Sequence, residues 1–381
     1  MSEPVDDPAG LPGLIPPART PGQASAAAPP APVGLRADLV LEGGGVKGIG
    51  LAGAVIELDA AGYHFPRVAG TSAGAIAAAL VAALNAAGQP LSQLHDILAT
   101  VDYPKFMDAG RVEAAAHLAM HMGLYDGRYL TDWLGDALKT IGVTTFGQLR
   151  LEDPGADSRW APSQRYSLVV HTADITRGRC VRLPWDYPAY GKEGIDDLPI
   201  VDAVRASMSI PFFFEPVRFH APAGDVDGVH YDAAKITWVD GGLLANFPVE
   251  VFDRTDGSPS RWPTIGLKLS ARETTIAAGR DVTNVVAEGV ACLHTLLDNA
   301  DRYYLTSDKA ARTIFIDNAG VKSTDFHLDG SAQARLLANG RTAAREWLDG
   351  PGAAPSQPLA AAPSQSLAAA PSQPLDAATQ P

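Results

Sequence analysis

The sequence predicts an α/β fold: a mainly parallel central sheet flanked by helices, with disordered N- and C-terminal tails. Two strand–turn–helix units carry this expectation. In the first, ADLVLEGGG reads as a short buried strand running into glycines, and the stretch over 46–61 has apolar residues at helical spacing (Ile49, Ala52, Gly53, Ile56). In the second, a strand over 65–69 meets GTSAG and then an apolar, alanine-rich helix to Leu84. The third observation is that strand-like and helix-like segments continue to residue 348. Such alternation makes parallel sheets whose sites lie at the carboxyl ends of the strands.

In chain order, residues 1–36 are rich in Pro, Ala and Gly without a period, which predicts an unfolded leader. Gly62 ends the first helix, and Asn85 with Gly88 ends the second. Further strands are expected at 166–173, 217–219, 237–239, 264–269 and 313–316, and helices at 91–100, 111–121, 128–139, 200–207, 282–304 and 331–348. In the 282–304 helix, Val282, Val285, Val286, Gly289, Val290, Leu293, Leu296 and Leu297 share one face, which is core patterning. Three near-copies of an eight-residue unit close the chain: APSQPLAA from Ala354, APSQSLAA from Ala362 and APSQPLDA from Ala370. A proline in each unit blocks helix, so 351–381 reads as a flexible tail and the folded domain as 37–350.

Composition bounds the function. The chain has 381 residues, 46% of them hydrophobic and 19% charged, enough to bury a full core. Thirty Lys and Arg against forty-three Asp and Glu leave a formal charge of −13, a field that repels phosphate backbones and argues against a nucleic-acid partner. Cys180 and Cys292 are too few for a disulfide framework or a cysteine zinc site and read as buried or idle thiols. No segment reaches the roughly 18 consecutive apolar residues of a spanning helix, the longest comparable run being Ala73 to Leu84. Membrane contact is therefore expected to be peripheral. The acidic start MSEPVDDPAG lacks the apolar region of a secretory signal, so the cytoplasm is the default location, with export as an effector left open.

Three motifs carry chemistry. Gly70-Thr71-Ser72-Ala73-Gly74 fits G-x-S-x-G, a strained strand-to-helix turn that exposes a serine, with the positive end of the following helix aimed at developing negative charge. Taken alone such a match is commonly a turn; a strand before it and a helix after it favour the elbow. Gly43-Gly44-Gly45-Val46-Lys47-Gly48 satisfies G-x-G-x-x-G, yet the acidic residue a dinucleotide fold wants about 20 positions on is replaced by Gly70-Thr71-Ser72. A Walker loop fails as well, because Gly48 follows Lys47 where Ser or Thr is required. What remains is a nest of backbone N–H groups suited to an oxyanion, against the plainer reading of a tight turn. The third motif, Trp238-Val239-Asp240-Gly241-Gly242, carries an acid from a strand end into two glycines, which alone is more often a turn than a catalytic group.

Together, in this order and spacing, the motifs resemble the patatin-like phospholipase family. The resemblance extends to Gly123-Leu124-Tyr125-Asp126, Ala173-Asp174-Ile175-Thr176 and Ala206-Ser207-Met208-Ser209-Ile210-Pro211, and covers about 37–270. It implies a three-layer architecture and a lipid acyl hydrolase of the phospholipase A type, acting on a phospholipid or other acyl lipid without cofactor or metal. Carried over residue by residue, it makes Ser72 the nucleophile and Asp240 its base. Gly43, Gly44, Gly45 and Gly48 then form the oxyanion loop, with Lys47 where that family has Lys or Arg, either drawing a lipid phosphate or bracing the loop. Gly70, Thr71, Ala73 and Gly74 form the elbow, and Gly241 and Gly242 complete the acid motif.

Two rival readings stand beside it. A Ser-His-Asp esterase would place its histidine after the acid, at His294 or His327, although neither sits in a motif. A non-catalytic lipid-binding or scaffold protein would use the repeat tail as an arm. His117 and His121 are spaced i, i+4, but Leu118 stands where a metalloprotease helix needs Glu, so no metal is expected.

Overall fold

Fourteen short strands and eight helices are described, ordered so that glycines and prolines punctuate them. The computed structural model describes residues 35–107, 118, 120–151, 160–226, 228–256, 260–269, 306–321, 323 and 325–350. The expected leader up to residue 34, most of the 111–121 helix with His117, the 282–304 helix with Cys292 and His294, and the repeat tail lie outside them.

The strands are β1 (Leu35–Arg36), β2 (Asp38–Leu41), β3 (Tyr63–His64), β4 (Val68–Thr71), β5 (Gly123–Tyr125), β6 (Leu168–Asp174) and β7 (Arg179–Leu183). They continue as β8 (Phe212–Phe214), β9 (Val217–Ala221), β10 (Gly224–Val226), β11 (Val229–Tyr231), β12 (Ala234–Asp240), β13 (Thr264–Lys268) and β14 (Thr313–Phe315). The helices are α1 (Ile49–Ala60), α2 (Ala73–Ala86), α3 (Gln93–Ala99), α4 (Arg128–Ile141), α5 (Ile200–Ser207), α6 (Gly242–Ala245), α7 (Ser307–Ala311) and α8 (Gly330–Leu348).

The main sheet runs β14-β13-β2-β4-β6-β12-β9, with β7 also paired to β6. Its first five strands are all parallel, while β7, β9 and β12 join antiparallel, so the expectation of a mainly parallel sheet holds. Two of the expected boundaries move. The strand expected over 65–69 forms at Val68–Thr71, because Pro66 has no N–H to give to a ladder. The helix expected from Val46 opens as a 3-10 turn, Gly45–Gly48, and becomes α-helical only at Ile49, since the Val46 N–H is drawn instead to Ser323 O at 3.1 Å.

One register decides where the site forms. On β6, Val170 and His171 pair with Gly70 and Thr71 of β4 on one edge and with Leu183 and Arg182 of β7 on the other. Further along, Thr172, Ala173 and Asp174 pair with Val181, Cys180 and Arg179 of β7 and with Asp240, Val239 and Trp238 of β12. Since a strand has two edges, β4 and β12 occupy the same edge in succession. They run toward each other and meet at their carboxyl ends.

Helices cover one face of the sheet. Helix α2 is buried from Ala73 to Leu84, as a helix apolar all round must be, and α1 packs along α8. Helix α4 buries Leu130, Leu134, Leu138 and Ile141 on one stripe and ends at Gly142, whose φ of 93° suits a C-cap glycine. The other face is filled by Val40, Ala69, Val169, Trp185, Phe247, Val249 and Phe252. Among the described residues, no helix is long and apolar enough to cross a membrane. Cys180 is free, and burial first of all raises its thiol to about 11.

At the amino ends of β2 and β4, Arg67 is clamped on Asp38, with Nε donating to Oδ1 at 2.7 Å, both side chains being fully buried. The guanidinium also stacks 4.2 Å from the Trp160 ring centroid and 4.7 Å from that of Phe252. Arg67→Met leaves a carboxylate buried without its partner and should lower unfolding free energy by about 3–5 kcal/mol, most of it recovered in Arg67→Met/Asp38→Leu. Equilibrium urea unfolding of the single and double variants checks this; equal losses in both would assign the effect to packing.

Candidate active site

The residue after Thr71 cannot continue β4, because β12 already occupies the edge ahead. The backbone turns sharply at Ser72 (φ 53°, ψ −124°) and enters α2. A non-glycine residue held there stores roughly 1–3 kcal/mol of strain. Two contacts hold it. The Ser72 N–H donates to Ser207 Oγ at 2.8 Å, and the Ser207 hydroxyl donates to His171 O at 2.5 Å. Gly70 allows the turn to close, since a Cβ there would lie 2.2 Å from Gly74 O. Thr71 Oγ1 donates to Ala245 O at 2.8 Å, tying the elbow to α6, and Ala73 and Gly74 open α2.

Asp240 ends β12 and is 3% exposed, beside Ser72 at 5%. Its N–H is anchored on Ser209 O at 2.8 Å, and its Oδ1 accepts from the Gly242 N–H at 2.8 Å. Among the described residues, the buried Oδ2 has no hydrogen-bond partner. The serine hydroxyl in this state donates a weak bond to Met208 Sδ at 3.5 Å. It is nonetheless close enough to Asp240 to favour the carboxylate. Burial raises the Asp240 pKa to about 6, against the lowering effects of Ser72 and of the Gly242 N–H. Gly241, the remaining member of the acid motif, lies against His171 O, where a Cβ would approach to 2.2 Å.

The glycine-rich loop lies on the other side of the serine. A Cβ on Gly43 would sit 3.2 Å from Ser72 Cβ and 2.2 Å from Asn246 Oδ1, so any side chain there would crowd the serine and the Asn246 amide. The Gly43 N–H is already committed to Asn246 O at 3.0 Å, and Asn246 Nδ2 returns a bond to Gly43 O at 3.3 Å. Among the described residues, no backbone carbonyl takes the N–H of Gly44 or Gly45. Lys47, in the 3-10 turn that ends at Gly48, packs its stem against Gly44, its Cε 3.5 Å from where a Gly44 Cβ would stand. Glu42, just before the loop, is buried and accepts from the Lys268 ammonium and the Leu269 N–H, which fixes the loop to the end of β13.

Beside the elbow opens a small apolar pocket, part of it open to solvent. Its walls include Val46, Ile76, Val101, Trp133, Met208 and Phe326. The phenol of Tyr103, also in the wall, is pushed up to about 12, chiefly by burial. Such a wall is apolar and suits an apolar group better than a charged one.

The remaining family-like segments also find places. Gly123–Tyr125 forms β5 beside β8, and Asp126 O accepts from Arg205 Nη2 at 2.8 Å. Asp174 closes β6 by accepting the N–H groups of Thr176 and Arg177 and the Tyr190 hydroxyl. Ala206–Pro211 supplies Ser207, Met208 and Ser209, whose contacts with Ser72 and Asp240 had no separate signal in the sequence.

Of the histidines, His327 is exposed, and His121 is exposed with its Nδ1 2.7 Å from Glu215. His171 is fully buried on β6, and burial first, Arg182 second, lower its pKa to about 3. Alternation along β6 puts His171 on the face of Val169, while alternation along β12 puts Asp240 on the opposite face with Ile236 and Trp238. No group of three or more potential metal ligands occurs among the described residues.

The chain is thus an α/β protein with a mainly parallel sheet, in which a buried serine turn, a glycine loop and a buried acid meet at one strand junction. The patatin family pattern, described as Patatin-like phospholipase, matches residues 39–253. The chain belongs to the patatin-like phospholipase family. It is 33% identical over 310 residues to the uncharacterized protein YqhO of Bacillus subtilis, covering 80% of this chain and 95% of the relative. It is 30% identical over 219 residues to a cUMP-AMP-activated phospholipase of Escherichia coli, spanning about half (55%) of each chain. Among solved structures it is similar to VipD from Legionella pneumophila (17% identity, TM-score 0.42, 84% of this chain and 67% of that one). The ExoU–SpcU complex from the type III secretion system of Pseudomonas aeruginosa is similar at 18% identity and TM-score 0.42, over 82% of this chain and 51% of that one.

The buried acid carries a stability consequence. Its folded pKa of about 6 lies above the ordinary 3.8, so its stabilising contribution is complete below about pH 4 and is lost as pH rises through 6. A shift of that size corresponds to about 3 kcal/mol. Asp240→Asn does not titrate, so its melting temperature relative to wild type should climb between about pH 4 and pH 8. Parallel melting curves across that range would show that the acid is not held in a desolvated place.

Proposed function

We propose that this protein is a lipid acyl hydrolase whose single catalytic domain, about 37–350, cleaves fatty-acyl esters through a Ser72–Asp240 dyad and an acyl-enzyme. The observation that carries this reading is the meeting of β4 and β12, which puts a strained serine beside a buried carboxylate with a spare oxygen.

In the first step, Asp240 Oδ2 takes the Ser72 hydroxyl proton as Oγ attacks the ester carbonyl. A pKa near 6 suits a base working close to neutrality. The tetrahedral oxyanion is received by the N–H groups of Gly44 and Gly45, assisted by the positive end of α2; one such donor is worth about 3 kcal/mol. Gly43 serves as the close-approach residue, because its N–H is spent on Asn246. The protonated Asp240 then gives its proton to the departing alcohol oxygen, and the acyl group remains on Ser72. A water, deprotonated by Asp240, attacks the acyl-enzyme; the serine oxygen recovers the proton as the fatty acid leaves. The apolar pocket holds the acyl chain, and Lys47 braces the loop by lying over Gly44.

The dyad predicts that Ser72→Ala abolishes hydrolysis of a chromogenic short-chain ester and that a fluorophosphonate labels Ser72. Asp240→Asn should lower kcat by several orders of magnitude with the fold intact, whereas His327→Ala should change little. Because the base must be ionised, kcat/KM should fall about tenfold per pH unit below about 6. Steady-state kinetics across pH checks both statements; an active Asp240→Asn would reject the dyad.

A further inference from the structure

We propose that Met120, Met122 and Phe212 form the tip by which this protein sits on a phospholipid bilayer, at the mouth of the acyl pocket. The inference rests on the lipid hydrolase reading and adds to it a surface and an occupant. Seven large apolar side chains stand exposed among the described residues; Leu35, Ile175, Val229 and Leu244 lie on separate segments, whereas Met120, Met122 and Phe212, 70%, 53% and 39% exposed, fall at or just before the starts of the two paired strands β5 and β8. The β5–β8 register pairs Gly123 with Phe212, which sets Met122 and Phe212 side by side at one end of the ribbon.

Both Met122 and Phe212 have a φ of 68°, in the left-handed region where a bulky residue is strained. The fold keeps this strain by clamping the two segments together. Arg205 Nη2 bonds Asp126 O at 2.8 Å and Glu215 O at 2.9 Å, and Arg218 Nη2 donates to His121 O at 2.6 Å. Strain spent on holding apolar side chains in water gains the isolated chain nothing, and points to a partner that accepts them.

Continuity with the pocket selects the partner. Met208 receives the Ser72 hydroxyl, and the four residues from there to Phe212 span at most about 14 Å. The next residue, Phe213, stacks on the pocket-wall residue Phe326 with ring centroids 4.7 Å apart. Met208 and Ile210 themselves line the pocket, so the tip residue Phe212 lies two residues from its wall. The exposed Arg218, which pairs with no carboxylate among the described residues, supplies a cation at the level of lipid phosphates on a chain whose net charge is −13.

The test uses the full chain carrying Ser72→Ala, so that binding is read without turnover, and sucrose-loaded vesicles of phosphatidylcholine with phosphatidylglycerol. Met122→Asn/Phe212→Asn replaces the apolar side chains by one that tolerates the left-handed region, so its melting temperature should equal or exceed that of its parent. Vesicle co-sedimentation of the double variant should fall at least about tenfold. In the Ser72 background the same double variant should keep its turnover of a water-soluble short-chain ester while losing turnover of vesicle lipid. Failure of the parent to sediment with vesicles, or equal sedimentation of parent and variant, overturns the proposal. So does a loss of self-association by light scattering with vesicle binding unchanged, which would assign the tip to a second copy of the chain. Retained ester turnover in Ser72→Ala would instead count against the dyad and leave the binding result standing.

Discussion

The arrangement on which the site depends is the sharing of one edge of β6 by two strands running in opposite directions. β4 ends at Thr71 opposite His171, and β12 ends at Asp240 opposite Thr172, the very next residue. Two carboxyl ends thus abut. The chain leaving β4 must turn out of the sheet at once, and the serine that begins α2 becomes the corner. The chain leaving β12 turns at Gly241 and Gly242 for the same reason. Serine and acid, 168 residues apart in sequence, become neighbours through backbone pairing, before any side chain is considered.

This junction is costly, and the surrounding polar groups offset the cost. The strained Ser72 backbone is held by Ser207, itself bonded to a carbonyl of β6, so the elbow is tied to the strand that created it. The burial of Asp240 is offset by the Gly242 N–H at Oδ1 and by the nearby Ser72 hydroxyl. In the proposed dyad the second oxygen is the one that takes the proton. The loop opposite is fixed from two sides, by Asn246 at Gly43 and by the buried Glu42–Lys268 pair one residue earlier. A site held this way presents Gly44 and Gly45 N–H groups in a set position, which is what preorganised stabilisation of an oxyanion requires.

Local signals carried much of this into the sequence. Glycines at strand ends, a serine between two of them and an acid before two more are visible as strings, and the helix-strand alternation predicts the parallel sheet. What the strings cannot contain is the partner of each group. Ser207 and Met208 lie in a segment that resembles the family, but a hydroxyl that accepts an amide 135 residues away has no local periodicity to betray it. The role of Gly43 is similar: three adjacent glycines look equivalent, and only the tertiary bond to Asn246 separates the first from the other two. Glu42 did leave a trace. An acid buried directly after a buried strand needs a partner, and Lys268 at the end of the neighbouring strand supplies it.

In the proposed dyad, the choice of base follows from the same burial. Desolvation disfavours whichever form of a group is charged, so it raises a carboxylic acid and lowers an imidazolium. Both cases occur here on adjoining strands. Asp240 is moved upward to about 6, nearer to the pH at which the proposed dyad would have it accept a proton. His171, buried to the same degree, is moved downward to about 3 and is a poor proton acceptor at neutrality. A histidine could work in this place only if water or a second carboxylate restored its basicity, and either would dilute the low-dielectric surroundings that strengthen the oxyanion contacts. In a junction this dry, a carboxylate gains basicity from the environment that would take it from an imidazole, which is the physical argument for a serine served by an aspartate alone.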